Sequence, residues 1–360
     1  MSSHQFYKEF ENKKILIVGG AGFVGSNLSR LICENVENVS ITVVDNLLSS
    51  EITNIPDSDK IDFREGSITD FRILAGLQDE YDYAFHLATY HGNQSSISDP
   101  IMDHDNNTLT TLELFERLKE FKKLKKVVYS SAGCSVAKKT FDTAEATTED
   151  SPIEINMDSP YSISKIIGEF YSYYYFKQQG LPVVRARFQN VYGPGEVLGA
   201  GNWRGTYATI WRNVTPTFVY KAIKGEDIPL ENEGIATRDF IFVEDICRGL
   251  MLCALRGDAG DVYNIGSGVE TSIAQLANEI KRISGSNSKI ELKPKRDWDN
   301  SGKRFASTLK SKEKLGFEAE VDISEGLSRT IQWTKDNIEL IDKCIFKHMS
   351  HLEYVQRHRG

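Results

Sequence analysis

A tyrosine and a lysine four residues apart, Tyr161 and Lys165, stand in the run Asp158-Ser159-Pro160-Tyr161-Ser162-Ile163-Ser164-Lys165. At that spacing two side chains share one face of a helix, a turn apart. Ser159 suits a helix cap and Pro160 the first helical position, so Tyr161 is predicted near a helix N-terminus. The partial positive charge of that end and the Lys165 ammonium both favour a phenolate. A phenol normally titrates near about 10, so a tyrosine needs such help to take a proton at neutral pH. The same spacing also occurs in ordinary amphipathic helices, and the surrounding elements must decide.

Those elements alternate. Lys14–Val18 is a short apolar run ending in glycine, as a strand buried on both faces reads. A helical pattern follows from Gly22 to about Asn35, then strands at Ser40–Val44, Ile61–Arg64, Tyr81–Leu87, Lys126–Tyr129 and Pro182–Phe188. Helices are predicted at Asp70–Gln78 and Asn106–Lys122, and around Tyr161. Strands alternating with helices imply right-handed crossovers and an α/β, Rossmann-type doubly wound parallel sheet. After Asn190 the rhythm breaks. Residues 193–206 carry five glycines and read as a mobile loop. Helices are expected at Thr209–Lys224, Glu244–Arg256, Ser272–Ile283 and Ile323–Phe346, and strands at Asp239–Val243, Val262–Ile265 and Lys289–Leu292. The expected division is 13–190 plus 237–266 as one domain and 191–236 plus 267–345 as a smaller, discontinuous α/β domain. Residues 1–12 and 346–360 are terminal segments.

Gly19, Gly22 and Gly25 punctuate the turn between the first strand and the first helix, with Phe23 and Val24 inside it. Such glycines let backbone approach a pyrophosphate, and the helix end behind them favours negative charge. Asp45 ends the second strand, 20 residues after Gly25. An acid there accepts hydrogen bonds from an adenosine ribose and repels a 2′-phosphate, which favours NAD over NADP; Asn46 lies beside it.

Composition frames these motifs. With 360 residues, 40% hydrophobic and 26% charged, the chain reads as a soluble globular protein. The net charge of -8 argues against a nucleic-acid surface. No stretch approaches the roughly 18 apolar residues of a membrane span. The start lacks a signal-like apolar core, so a cytoplasmic protein is expected. Cys33, Cys134, Cys247, Cys253 and Cys344 are scattered, with no metal-like pairs.

Together these stretches resemble the extended short-chain dehydrogenases/reductases, specifically the NAD-dependent sugar-nucleotide epimerase/dehydratase family. The match runs over about residues 13–335. It includes Gly19-x-x-Gly22-x-x-Gly25, His86-Leu87-Ala88, Asn107, Ser130-Ser131, Arg187–Pro194, Arg238-Asp239-Phe240 and Tyr263–Gly266. The resemblance implies that Tyr161 removes a proton from a sugar hydroxyl and that Lys165 binds the nicotinamide ribose. It implies that Ser131 hydrogen-bonds the reacting oxygen. Asp45 and Asn46 would hold the adenosine side, and Ser67, Ile68, Leu87, Ala88 and Asn107 would line the cofactor channel. Asn190 and Arg238 would meet the substrate diphosphate, with Arg304 or Arg296 as a second contact. His91 and Asn213 are further substrate-side candidates. A homodimer through residues 106–121 and 159–179 is also implied.

Two departures bear on the reaction. The family's Tyr-Gly after the fifth strand is missing from Ser130-Ser131-Ala132-Gly133-Cys134-Ser135-Val136-Ala137. Alignment from the strand makes Ser131 the catalytic hydroxyl, with Ser130, Cys134 and Ser135 as substitutes. Family dehydratases and decarboxylases carry an acid just after that hydroxyl; Ala132 and Gly133 cannot transfer protons. Epimerisation of a nucleotide-diphosphate sugar, at C4 of a UDP-hexose by expectation, is therefore favoured. A 4,6-dehydratase, a keto-sugar reductase and a catalytically silent NAD-binding protein are the alternatives. The second departure is the glycine-rich stretch through Trp203, Arg204, Trp211 and Arg212, read as a lid or as a dimer contact.

Overall fold

The structure is a computed structural model that describes residues 5–133, 136–137, 140–153, 155–296 and 302–353. Six parallel strands arise in the first half: β1 (Lys13–Val18), β2 (Val39–Asp45), β3 (Ile61–Glu65), β4 (Tyr83–His86), β5 (Lys126–Ala132) and β6 (Val183–Phe188). Beyond them come β7 (Asn190–Tyr192), β8 (Ile228–Glu231), β9 (Thr237–Phe242), β10 (Val262–Ile265), β11 (Glu270–Ser272) and β12 (Ile290–Lys293). The large sheet has seven strands in the order β10-β6-β5-β4-β1-β2-β3. All its pairings are parallel. The doubly wound Rossmann-type sheet is as expected.

Strand alternation explains why so much of this sheet is apolar. Ile15 and Ile17 of β1 enter one core with Leu28 and Ile32 of the helix Phe23–Asn35. Leu16 and Val18 enter the opposite core with Leu114, Phe115 and Leu118 of the helix Thr110–Leu118. Both faces are covered, so alternate residues are equally buried. The order reverses beside β1, and in such sheets the crevice beyond the strands' carboxyl ends is where ligands bind.

A smaller α/β layer closes over that crevice. It contains a three-stranded sheet, β11-β9-β7, and the pair β12-β8. The helices Val214–Lys224, Ile273–Ser284 and Ile323–Asp336 pack beside them and share the first core through Phe218, Leu276 and Leu327.

Several local expectations change. The stretch 193–206 is packed, not loose: Val197, Leu198 and Ala200 are buried in a third apolar cluster with Ile210, Cys344 and Ile345. The helix expected from Thr209 begins at Val214. The long C-terminal pattern divides at Asn337 into Ile323–Asp336 and Ile338–Phe346. The helix expected from Asn106 opens with a π-turn over His104–Leu109. The terminal segment is tied down early, with Phe6, Tyr7 and Phe10 of the turn Gln5–Phe10 buried. Among the described residues no helix is long and apolar enough to cross a membrane. No group of three or more potential metal ligands occurs among them either.

Candidate active site

A cavity of about 770 Å³ runs between the carboxyl ends of the large sheet and the smaller layer, and both supply its walls. That volume suits a ligand largely enclosed by protein.

At one end lies the glycine turn. Gly19 has φ 84°, and a Cβ there would collide with the backbone of Leu87 and Ala88. Gly25 packs equally tightly on Gly19 and Gly20. The helix Phe23–Asn35 has Gly22 at its N-cap and no capping side chain, so its first N–H groups keep no side-chain partner. Gly22, Phe23 and Val24 line the cavity. Asp45 is 9% exposed at the end of β2. Its Oδ2 accepts from Ala21 N at 2.9 Å, and its Oδ1 from Leu47 N at 2.8 Å and Ser50 Oγ at 3.0 Å. Burial pushes this carboxyl above its usual range, and those hydrogen bonds oppose the shift. Asn46, Ser67, Ile68, Leu87 and Ala88 also line the cavity.

Asn107 stands apart from the lining. It is 3% exposed and serves as an internal strap. Its Oδ1 accepts from Tyr90 N at 2.6 Å and Thr89 Oγ1 at 2.9 Å, while Nδ2 donates to Asp103 Oδ1 at 2.7 Å and Ser164 Oγ at 3.1 Å. It ties the loop after β4 to the tyrosine-bearing helix; Asn106 and Thr110 face the cavity in its place.

That helix, Pro160–Gln179, starts as the sequence requires. Ser159 accepts from Ser162 N at 3.3 Å, Pro160 holds the first position, and Gly180 closes the helix at φ 72°. Tyr161 and Lys165 both line the cavity. Lys165 Nζ donates to Ser130 O at 3.0 Å and lies 5.9 Å from the centre of the Tyr161 ring. The His91 ring meets Tyr161 edge-on at 5.9 Å. Burial, then the charges of Arg212, Arg204 and Lys165, push His91 down to about 3, so at neutral pH it is uncharged.

Ser131 lines the cavity, and its hydroxyl donates to Glu169 Oε1 at 2.5 Å. Burial alone would raise the Glu169 carboxyl, but Arg187, bonded to both its oxygens at 2.8 Å, and Ser131 hold it below the usual range. An ionised carboxylate cannot give a proton back, so the Ser131 proton is committed there. Ser130 donates to His86 O at 2.9 Å. Cys134 and Ser135 lie outside the described residues.

On the far wall, Arg238 Nη1 donates to Thr237 O and Gly302 O, each at 2.6 Å. Asp239 accepts from Ser267, and Glu244 pairs with Arg329. Asn190, Arg238 and Arg304 share the cavity with His91 and Asn213. Arg296 lines it too and pairs with Glu231 at 2.5 Å.

Sequence comparison now adds to the geometry. Residues 15–266 match the model of the NAD dependent epimerase/dehydratase family. The chain belongs to that family. The chain is 60% identical to the Bordetella bronchiseptica enzyme WbmF, whose crystal structure is in complex with NAD+ and UDP. That likeness covers 95% of this chain and 98% of the other, with a TM-score of 0.85. The epimerase Mth375 of Methanothermobacter thermautotrophicus is 35% identical over 95% of this chain and 97% of its own, with a TM-score of 0.86. The UDP-glucuronate 4-epimerase of Thermodesulfobacterium geofontis is 30% identical over 91% of this chain and 97% of that protein. The glycine turn, the uncapped helix end and the Asp45 carboxylate all line one cavity, so the residues present fit a dinucleotide.

One lining residue carries no motif that marks it in the sequence. Glu196 follows a Gly-Pro-Gly turn after β7, is 5% exposed, and is pushed up to about 7, chiefly by burial. An acid in a glycine turn just past a cavity-edge strand is the signal that could have found it.

Proposed function

We propose that the protein is an NAD-dependent epimerase of a UDP-linked hexose, inverting C4 through a transient keto-sugar. NAD held between the glycine turn and Lys165 would supply the hydride acceptor and donor for the sugar carbon, with no net consumption of the cofactor. The observation that carries the reading is the Tyr161–Lys165 pair on the cavity wall, beside a post-β5 segment whose Ala132 and Gly133 carry no acid or base. Tyr161 takes the proton from the sugar hydroxyl and gives it back after inversion. Lys165 holds positive charge near the phenol and a hydroxyl of the nicotinamide ribose. Ser131, its hydroxyl hydrogen directed to Glu169, can accept from the sugar hydroxyl but does not donate to the keto oxygen. The proton on that oxygen therefore comes and goes through Tyr161. Neutral His91 orients without adding charge.

Asp45 takes the adenosine ribose, with Asn46, Ser67, Ile68, Leu87 and Ala88 around the adenosine and the channel. Asn190, Asn213, Arg238 and Arg304 take the diphosphate side, where a guanidinium's forked donors match phosphate oxygens. UDP is favoured by the UDP-bound relative and by the UDP-sugar relatives. Residues 13–190 with 237–266 would form the cofactor domain, and 191–236 with 267–345 the nucleotide-sugar domain, joined where β9 pairs with β11. A cytoplasmic homodimer completes the reading. Phe170, Tyr173 and Tyr174 are 59%, 48% and 50% exposed on the helix Pro160–Gln179, an apolar patch suited to a second copy.

Purified protein incubated with UDP-hexoses, without added cofactor, should yield a product of unchanged mass and altered sugar NMR couplings. A product lighter by one water would make it a dehydratase, and a stoichiometric demand for NAD or NADPH would sink the epimerase reading.

A further inference from the structure

The strap after β7, residues 193–213, includes a carboxyl group that neither the glycine turn nor the tyrosine–lysine pair uses. Glu196 lines the cavity, and its Oε2 is buried without a hydrogen-bond partner. Its Oε1 accepts a short hydrogen bond from Nδ2 of Asn213. Asn213 is the N-cap residue of the helix Val214–Lys224, with extended backbone at φ -127° and ψ 147°. Asparagine is among the best capping residues. Here it makes no capping hydrogen bond, and its amide nitrogen donates to Glu196. The first-turn residues Val214 and Thr215 line the same cavity, and an open helix end favours an anion.

Pro194 and Gly195, just before Glu196, rest on the cofactor helix. Asn27 Nδ2 donates to Pro194 O at 3.0 Å, and a Cβ on Gly195 would press on the Asn27 amide. Glu196 therefore stands between two helix N-termini, at Phe23 and at Val214, that open onto one cavity. We propose that Glu196 is the positioning residue of the substrate's diphosphate site: it holds Asn213 off the cap of the helix Val214–Lys224 and keeps that helix end open to the diphosphate. The proposal rests on the nucleotide-sugar reading above.

Arg212 on the strap attracts a carboxylate, though its guanidinium is bonded to Ser49 O and Ala200 O, each at 3.0 Å. Arg30 on the cofactor helix reaches Asn27 at 3.2 Å, and Lys221 lies over the Trp211 ring. Burial outweighs Asn213 and Arg212 and pushes the carboxyl up to about 7. Protonated, Glu196 still accepts from Asn213 and adds no negative charge between two diphosphates. Ionised, it is one more anion beside them, so diphosphate affinity should fall as pH rises through about 7.

The test is calorimetric titration of UDP into the cofactor-loaded enzyme, from about pH 6 to about pH 8.5, for the wild type, Glu196→Gln and Glu196→Ala. The terminal phosphate of UDP titrates alike in all three, so ratios of affinity isolate the side chain. Glu196→Gln should match the wild type at the acid end and bind about tenfold tighter at the alkaline end. Glu196→Ala frees Asn213 to cap and should lose about tenfold even at the acid end, with KM for the sugar nucleotide rising more than kcat falls. Equal pH profiles for wild type and Glu196→Gln overturn the proposal, whether or not Glu196→Ala folds. Unchanged affinity in a folded Glu196→Ala does the same. A wild type that binds no UDP overturns the nucleotide reading itself, and this proposal with it.

Discussion

Two of the helix N-termini at the cavity, at Phe23 and at Val214, lack a side-chain cap, for opposite reasons. At Phe23 the cap position is Gly22, which has no side chain to offer. At Val214 the cap position is Asn213, which has a suitable side chain and gives it to Glu196. The first opening is written into local sequence, and any chain with that glycine turn would make it. The second exists only because a residue 17 positions earlier in the chain folds back onto it. One site is therefore rigid by composition, the other by contact, and the contact runs through a carboxyl pushed up to about 7.

The largest test removes the proton chemistry and leaves both helix ends as they are. Tyr161→Phe should lower kcat by about 10³-fold, a general base being worth roughly 10²–10⁴-fold, while leaving NAD content and UDP affinity near wild type. Wild-type turnover in a folded variant would remove Tyr161 from the mechanism. Next, Gly19→Ala strikes the end that is rigid by composition. A side chain at φ 84° against the Ala88 backbone should cost about 3 kcal/mol in thermal or urea unfolding and yield protein without bound NAD. Retained cofactor and unchanged stability would show that the turn has slack.

Asn107→Ala breaks the strap behind the site. Losing a buried amide with four close partners should lower stability by about 1–3 kcal/mol in urea unfolding, with NAD affinity falling less than it does in Asp45→Ala. The reverse ranking would return Asn107 to direct cofactor contact. The smallest effect concerns Glu196 in the cofactor-free protein. Its folded pKa, about 7, exceeds the ordinary 4.5, so the folded state binds the proton more tightly. That contribution to stability is fully present below 4.5 and is lost as pH rises through about 7. Glu196→Gln should flatten the decline in stability over that window by on the order of 1–3 kcal/mol. A decline identical to wild type would assign the slope to other groups.

Legibility followed the same division. Where structure comes from local spacing, sequence was sufficient: the apolar runs of the large sheet, the Ser159-Pro160 start of the tyrosine helix, Asp45 at the end of β2. Where it comes from distant contacts, sequence was silent or misleading. Ser131 lies at the expected place after β5, but its proton goes to Glu169, 38 residues away on another element. Asn107 is on the expected helix, but a π-turn sets it toward the interior while Asn106 faces the cavity. The glycines of 193–206 suggest looseness, yet several turn the chain so that Val197, Leu198 and Ala200 can pack. Glu196 had no periodicity, pair or motif to betray it.

The strap's anchorage also reaches far along the chain, to Lys347, His348 and His351. Gly201 N donates to Glu51 Oε1 at 2.9 Å, and Lys347, 296 residues beyond Glu51, pairs with the same oxygen. Trp203 stacks on His351 at 5.1 Å, and His348 bonds to Gly199 O at 2.9 Å. The rim of a cavity founded on the first glycine turn is thus finished by a segment made long after it. Contacts of such separation form late because the loop must close before they reward it. A nascent chain can build the floor of its site long before it can roof it.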